Sequence, residues 1–339
     1  MKRFLFRLFA LLLGLGLTVA VLELGLRITG RGSGGELPPS VAVQESHRGP
    51  GHLPHQRTLP HPGEEAQPFR ILVLGDSFTW GAGIFHEDSY PRRLERLLER
   101  ASDDTVDVEL DLYTRPGWNT VQEVRSLELA PPAQRPDLIL LGYCLNDVEQ
   151  ARRQGNEDLE EALLRRQPEA FEGFLLAHSR IYRAIWNRLE SARQRHAFVR
   201  YYHELYEREG WRQAQGAMDR LQSFAREEGA PVVAVVFPIF DQQLDGGYRY
   251  ADLHRKVGEA LAKRGFRVVD LLSAYRGVDA HRLAVEPFTD PHPNELGHRI
   301  ASQVLAQYLL DEGLVPIDPA GVHPKSLDLT VTSERKSER

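Results

Sequence analysis

The chain has 339 residues, 42% of them hydrophobic and 27% charged, which is typical of a globular protein and excludes a disordered or fibrous one. Its formal net charge is −6, so it lacks the chain-wide positive field of a nucleic-acid-binding protein, and no nucleic acid is expected as a partner. The one cysteine, Cys144, excludes an intramolecular disulfide framework and a cysteine-based zinc site, but it does not indicate the cellular compartment.

The N-terminal segment, residues 1–29, has the pattern of a membrane anchor. Basic residues at its start precede a run without charge from Leu8 to Leu22, and residues 4–22 approach the length of a membrane-spanning helix if the flanking arginine extends toward the headgroups. Because the basic flank is N-terminal, the positive-inside rule predicts that the rest of the chain lies outside the cytoplasm, in the periplasm or the extracellular space. Two alternatives stay open: a cleaved signal peptide, for which residues 18–20 form a poor cleavage site, and a soluble core helix.

Residues 30–68 are rich in Gly, Pro, Ser and His and have almost no apolar periodicity, which predicts a flexible linker. The linker contains four histidines, His47, His52, His55 and His61. A metal-binding tract is conceivable, but their spacing matches no compact ligand set, so solvated side chains are the preferred interpretation. At the other end of the chain, residues 313–339 lose apolar periodicity and predict a C-terminal tail.

Between these ends, residues 69–312 alternate between strand-like and helix-like segments. Apolar runs predict strands at 69–74, 106–112, 138–141, 232–237 and 266–269. Helical spacing of apolar residues predicts helices at 90–100, 119–129 and 295–310. This alternation predicts an α/β fold, a three-layer flavodoxin-like sandwich with a parallel sheet of about five strands. In such sheets the functional site lies beyond the carboxyl ends of the strands.

Chemically distinctive residues follow three of the predicted strands. Gly75-Asp76-Ser77 follows the first strand, where a sharp turn would expose the serine hydroxyl; a plain helix cap is the alternative interpretation. Asn146 follows the third strand and is either an oxyanion donor or only a turn former. Gly117 follows the second strand, and it either presents its backbone N–H to the same site or is an ordinary turn glycine.

A segment just before the last helix carries a histidine between two prolines, Pro291-His292-Pro293. The prolines predict a stiff loop that would hold His292 in one orientation, as a general base requires. A neighbouring carboxylate would fix its tautomer and stabilise the imidazolium, and Asp290 is the nearest candidate. A loop histidine alone is usually structural, so this interpretation depends on the three strand ends described above.

A long insertion, about residues 150–230, lies between the third and fourth predicted strands. Its aromatic and large apolar residues recur at helical intervals, which predicts a helical insert that caps the domain. The residues at this spacing are Phe171, Phe174, Leu175, His178, Tyr182, Ile185 and Leu189. Residues 180–200 carry six arginines against a single acidic residue, Glu190. They form either a basic lip for acidic glycans or membrane headgroups, or a solvated helix face, and the solvated face is the preferred interpretation.

The four motifs, in this order on an α/β pattern, resemble those of the SGNH or GDSL-type serine hydrolases, esterases and lipases, here of a membrane-anchored bacterial type. The resemblance covers about residues 69–312. It implies that Ser77 is the nucleophile and that His292 is the general base. It also implies that the backbone N–H groups of Ser77 and Gly117, together with the Asn146 side chain, form the oxyanion hole.

The chain departs from this family in two places. The family's last motif usually has its aspartate three residues before the histidine, but Thr289 stands there and Asp290 lies two residues before His292. The acid of the triad is therefore either Asp290, in a re-formed loop, or a residue from elsewhere. The first motif continues with Phe78 where the family has leucine, which is a mild change.

The resemblance implies a serine esterase that needs no cofactor and no metal. The sequence does not name the ester, but an anchored domain outside the cytoplasm favours O-acetyl groups of a cell-envelope glycan or a lipid-like ester as the substrate. Two alternatives remain. One is an O-acyltransferase that uses the same triad on an envelope polysaccharide, and the other is a non-catalytic envelope scaffold.

Overall fold

The computed structural model describes residues 14, 18, 21–25, 28, 56–57, 68–103, 105–149, 159, 163, 168–286 and 290–317. Most of the predicted anchor and linker, the four linker histidines, Thr289 and most of the predicted tail lie outside these residues. The described residues belong to two compact units. One unit takes its residues from the segments before 44 and from 152–201, and the other from 45–151 and from 202 onward.

The second unit is built on a six-stranded sheet. Its strands are β1 Gln56–Arg57, β2 Phe69–Gly75, β3 Val108–Thr114, β4 Leu138–Cys144, β5 Val232–Phe237 and β6 Arg267–Asp270. Their order in the sheet is β1-β3-β2-β4-β5-β6. Strands β2 to β6 are parallel, and β1 pairs antiparallel with the edge of β3. The α/β prediction with five parallel strands is confirmed, and the order of these five is that of flavodoxin-like sheets.

The helices are α1 Ser77–Trp80, α2 Tyr90–Ala101, α3 Thr120–Leu129, α4 Ala170–His178, α5 Arg180–Leu205, α6 Glu209–Glu228, α7 Ala251–Ala262 and α8 Glu295–Asp311. The chain moves from β2 outward to β3 and then back across β2 to β4, so right-handed connections put α2 and α3 on opposite faces of the sheet. Helix α8 packs against α2, and α6 packs against α3. These pairs form the outer layers of the sandwich.

The central strands form because their side chains are apolar on both faces. Every residue of β4 and β5 is buried, as a parallel sheet covered on both sides requires. Strand β3 departs from this apolar composition, because it contains two buried acidic residues, Glu109 and Asp111. Glu109 is paired with Arg70 of β2 at 3.2 Å. The strand boundaries differ from the predicted ones by a few residues at most.

Among the described elements, β1, α7, β7 and β8 were not predicted. Helix α7 was missed although Leu253, Val257 and Leu261 are buried at four-residue spacing. The segment around His292, predicted to be a loop, is instead a strand: β7 Ala284–Glu286 and β8 Asp290–Pro293 form an antiparallel two-stranded sheet. The prolines fit β8 because this sheet has only two strands, so both are edge strands on which proline is tolerated.

The first unit contains the described residues of the insert up to 201, among them α4 and most of α5. The junction between α4 and α5 is held by Arg183, whose guanidinium donates to the carbonyl oxygens of Leu176 and Ala177 at the end of α4. Residues 21–25 are also helical, and the Glu23 carboxylate accepts hydrogen bonds from the first N–H groups of α5. No helix within the described ranges has both the length and the apolar composition needed to cross a membrane.

Candidate active site

The nucleophile candidate lies where β2 gives way to α1. Ser77 is the first residue of α1, and the preceding Asp76 is its N-cap, with its carboxylate accepting from the Phe78 N–H at 2.8 Å. The capping interpretation of this motif therefore applies to Asp76. The Ser77 hydroxyl lies 2.8 Å from Nε2 of His292 and, at a longer 3.4 Å, also faces Oδ2 of Asp76. One motif thus both starts the helix and presents a hydroxyl.

Two glycines let α1 lie close to the sheet. Gly75 ends β2 and Gly142 lies in the neighbouring β4, and a Cβ atom at either position would overlap the Thr79 side chain. The Thr79 hydroxyl lies 3.4 Å from the hydroxyl of Tyr90 on α2. Thr79 therefore fills the space that two absent side chains leave, and this packing sets the height of α1, and so of Ser77, above the strand ends.

His292 is held by contacts on both of its ring nitrogens. Its Nδ1 lies 2.6 Å from Oδ1 of Asp290, and the same oxygen accepts from the His292 backbone N–H at 3.1 Å. In the tautomer that these contacts favour, Nδ1–H donates to Asp290 and Nε2 accepts from Ser77. The Phe78 ring, with its centroid 5.0 Å from that of the imidazole, packs against His292.

The charge state of Asp290 suits this arrangement. Partial burial by itself would raise its pKa, but the hydrogen bond from His292 and the charge of that ring outweigh the burial, so the pKa of Asp290 lies below its usual value. Asp290 is therefore a carboxylate across the neutral range. A negative charge at Nδ1 stabilises the imidazolium that forms when the histidine takes up a proton.

The two oxyanion candidates other than Ser77 lie on the turns that follow the neighbouring strands. Asn146 belongs to the short helical turn Leu145–Val148 after β4, and its Nδ2 donates to Oδ2 of Asp76 at 3.0 Å. Gly117 lies in the turn after β3 with a φ of +79°, a left-handed conformation that favours glycine. A Cβ atom there would meet nothing within 4 Å, so the backbone angle rather than space accounts for the glycine.

The structure therefore joins Ser77, His292 and Asp290 in one chain of hydrogen bonds and attaches Asn146 to it through Asp76. Gly117 lies on the strand-end turn next to β2 but makes no hydrogen bond to the other four among the described residues. The link between Asp76 and Asn146 was missed by sequence reasoning. Its only signal was that both residues follow adjacent strands.

Buried acids beneath this site were also missed. Burial raises the pKa of Asp76, Glu123 and Asp147, and their mutual charge repulsion raises it further for Glu123 and Asp147. The Asp147 carboxylate accepts from the backbone N–H of Cys144 at 3.2 Å.

Burial likewise raises the pKa of the Cys144 thiol, which disfavours the reactive thiolate. No group of three or more His, Cys, Asp or Glu side chains within the described part could hold a metal ion.

Comparison with known proteins gives one family and several similar folds. A model of the GDSL-like lipase/acylhydrolase family matches residues 73–300. No curated protein matches the chain. Among solved structures, TesA is 16% identical with a TM-score of 0.42, over 73% of this chain and 99% of that one. The acetylxylan esterase Axe2 from Geobacillus stearothermophilus is 14% identical with a TM-score of 0.41, over 70% of this chain and 92% of that one. A two-domain esterase active on acetylated mannans is 16% identical with a TM-score of 0.42, over 72% of this chain and 49% of that one.

Proposed function

The chain belongs to the GDSL-like lipase/acylhydrolase family and is an enzyme that hydrolyses ester bonds, and from this premise we propose that it is a serine esterase with Ser77, His292 and Asp290 as its catalytic triad. The observation that carries the proposal is the unbroken chain of hydrogen bonds from Ser77 Oγ to His292 and on to Asp290, with distances of 2.8 and 2.6 Å. A neutral imidazole aligned between a hydroxyl and a carboxylate is the arrangement that activates a serine.

The first half of the reaction forms an acyl-enzyme. His292 Nε2 takes the proton from Ser77 as the serine oxygen attacks the ester carbonyl, and Asp290 stabilises the resulting imidazolium. The carbonyl oxygen becomes an oxyanion, which the N–H groups of Ser77 and Gly117 and the Asn146 amide would hold. The imidazolium then gives its proton to the departing alkoxide, which leaves as the alcohol.

The second half releases the acid. Water attacks the acyl-enzyme, His292 takes a proton from that water, and Ser77 recovers its hydroxyl as the acid departs. Asp76 contributes by position, because its hydrogen bond to Asn146 holds one amide hydrogen and leaves the other for the oxyanion. The chemistry uses only side chains and backbone of this chain.

We assign the substrate by class and propose a membrane-anchored enzyme outside the cytoplasm. The N-terminal run without charge and its basic flank support the anchor and its orientation. At such a location, O-acetyl groups of a cell-envelope glycan or a lipid-like ester are the expected substrates. The non-catalytic alternative does not agree with membership of a hydrolase family. Acyl transfer would use the same triad, and product analysis with and without a glycan acceptor separates transfer from hydrolysis.

Labelling with a fluorophosphonate probe tests the nucleophile. The intact protein should label, and Ser77→Ala should abolish both labelling and hydrolysis of a short nitrophenyl ester while the thermal unfolding temperature stays close to that of the parent. Ser223→Ala, a change at an exposed serine of α6, is the matched control and should label normally. Labelling that persists in Ser77→Ala would overturn the assignment.

The oxyanion hole is tested at Asn146. Loss of one donor usually lowers kcat by roughly 10²–10³, and Asn146→Ala should do so with little change in KM. A change confined to KM, or a protein that no longer folds, would make Asn146 a binding or structural residue instead.

A further inference from the structure

Large apolar side chains are exposed on the first unit. In the described part of the chain, its exposed members are Val21, Leu22, Leu24, Ile28, Phe171, Phe174, Ile185 and Leu189. Each is more than half exposed, whereas the described residues of the second unit include only Phe85 and Leu129 as large apolar side chains of such exposure. Single exposed apolar residues are ordinary, but eight on three helices of one small unit indicate a surface that something covers.

The first of these helices continues directly from the apolar N-terminal run. The run without charge ends at Leu22, and Glu23 is the first charged residue after it. The Glu23 carboxylate accepts from the Ser179 hydroxyl at 3.1 Å and from the N–H groups of Arg180 and Ile181 at 2.8 and 3.0 Å. The start of α5 is therefore hydrogen-bonded to the residue that directly follows the proposed membrane segment. If that segment lies in a membrane, α5 begins close to the membrane surface.

Helices α4 and α5 present their exposed apolar residues at regular spacing. Phe171 and Phe174 are three residues apart on α4, and Ile185 and Leu189 are four apart on α5, so each pair shares one side of its helix. Helix α4 has nine residues, a length of about 14 Å, against a hydrocarbon core of about 30 Å. Helices α4 and α5 can lie on a membrane surface, but α4 is too short to span a membrane.

The charges of α5 favour a negative partner. Residues 180–200 carry six arginines, and the one acidic residue among them, Glu190, is held by the Arg193 guanidinium through bonds of 2.9 Å. Arg188 is exposed and adjoins Leu189 in sequence. Exposed apolar side chains next to arginines are the composition of helices that rest in the interface of anionic bilayers. Two copies of this surface would instead bring like charges together.

We propose that the segment of α4 and α5 is a membrane-docking element. It lies on an anionic bilayer beside the N-terminal segment, with Phe171, Phe174, Ile185 and Leu189 at the boundary between headgroups and acyl chains and with the exposed Arg188 among the headgroups. This surface is independent of the esterase reaction, and it adds a second, separable contact to the proposed anchor.

The test labels introduced cysteines, which is practical because the one native cysteine of the chain is buried. Cys144 is buried and its thiol has a raised pKa, so an introduced cysteine is the preferred site of labelling in the folded protein. Phe174→Cys and Leu189→Cys carry the fluorophore NBD in the full chain, and Phe85→Cys and Leu129→Cys are matched controls at exposed apolar positions of the second unit. Each protein is reconstituted into vesicles of phosphatidylethanolamine and phosphatidylglycerol, with and without lipids that carry a doxyl quencher.

Docking predicts blue-shifted emission and at least twofold stronger lipid quenching at 174 and 189 than at 85 and 129. Arg188→Glu should weaken the quenching at 189, and vesicles of phosphatidylcholine alone should weaken it as well. Probes at 174 and 189 that behave like the controls while the protein stays bound to vesicles would overturn the proposal, because the N-terminal segment alone would then hold the membrane. Blue-shifted probes that lipids do not quench would overturn it too, since protein, from this chain or a second copy, would cover the surface.

Discussion

At the scale of single residues, the distinctive feature is an aspartate two positions before the histidine that it orients. Proline at 291 restricts Asp290 to an extended backbone, and β8 is extended at this point. In extended chain, side chains at i and i+2 project to the same side, which lets the Asp290 carboxylate reach Nδ1 of His292. Because the segment is extended, an aspartate two positions before the histidine makes the contact that the family usually makes from three positions before it.

Asp290→Asn should lower kcat by roughly 10²-fold or more, because the amide stabilises neither the required tautomer nor the imidazolium. The loss should be smaller than in Ser77→Ala or His292→Ala, since the nucleophile and the base both remain. Asp219→Asn, at an exposed aspartate of α6 that pairs with Arg264, is the control and should be silent. Thr289→Ala should also be nearly silent. Steady-state kinetics on a nitrophenyl ester checks the series, and an unaffected Asp290→Asn enzyme would mean that another residue, or none, orients the histidine.

At the scale of elements, the seating of α1 on β2 and β4 decides where the nucleophile lies. Gly142→Ala would put a methyl group into Thr79, so we expect lower stability and a displaced Ser77 with reduced kcat. Thr79→Ala in the same chain should recover part of both losses. Thermal unfolding and kcat, measured for the two single variants and the double variant, give the coupling. Strictly additive effects would contradict this packing.

Helix α8, which follows the strand of His292, carries His298. This histidine is fully buried, and its Nδ1 accepts a hydrogen bond from the Tyr90 N–H at 3.1 Å. Burial lowers the pKa of His298 to about 3, so the folded protein keeps it neutral. The unfolded chain takes up this proton near pH 6.5, and stability is therefore lost as pH falls from about 6.5 toward 3, by at most about 1.4 kcal/mol per pH unit. His298→Gln should show a smaller loss of unfolding free energy between pH 7 and 5 than the parent. Ser302→Ala, a buried change on the same helix, should keep the parent's slope, and equal slopes in all three would refute the assignment.

How much of the architecture could be predicted depended on the pattern that each element carries. The five parallel strands have long apolar runs because both faces of the sheet are covered, and such runs are visible in the sequence. Strands β7 and β8 have three and four residues and only scattered buried positions, so no alternation identifies them. Site residues at strand ends could be predicted by type, whereas the bond from Asn146 to Asp76 depends on which strands become neighbours.

At the scale of the whole molecule, the proposed anchor predicts that the hydrolase acts outside the cytoplasm. A reporter that is active only outside the cytoplasm, fused after residue 29, should be active, and the full-length protein should sediment with membranes. The same reporter fused after residue 3, before the apolar run, is the control and should be inactive. A soluble mature protein that begins near residue 21 would replace the anchor with a cleaved signal.

The Glu23 carboxylate at the start of α5 links proteolytic maturation to the integrity of the insert. Cleavage after Ala20 would leave Glu23 two residues from a new chain end, where backbone frays. The Ser179 hydroxyl and two N–H groups of α5 would then turn to water, at a cost of about 1 kcal/mol for a lost helix cap. A peptidase that removed the leader would therefore be expected to loosen the start of α5.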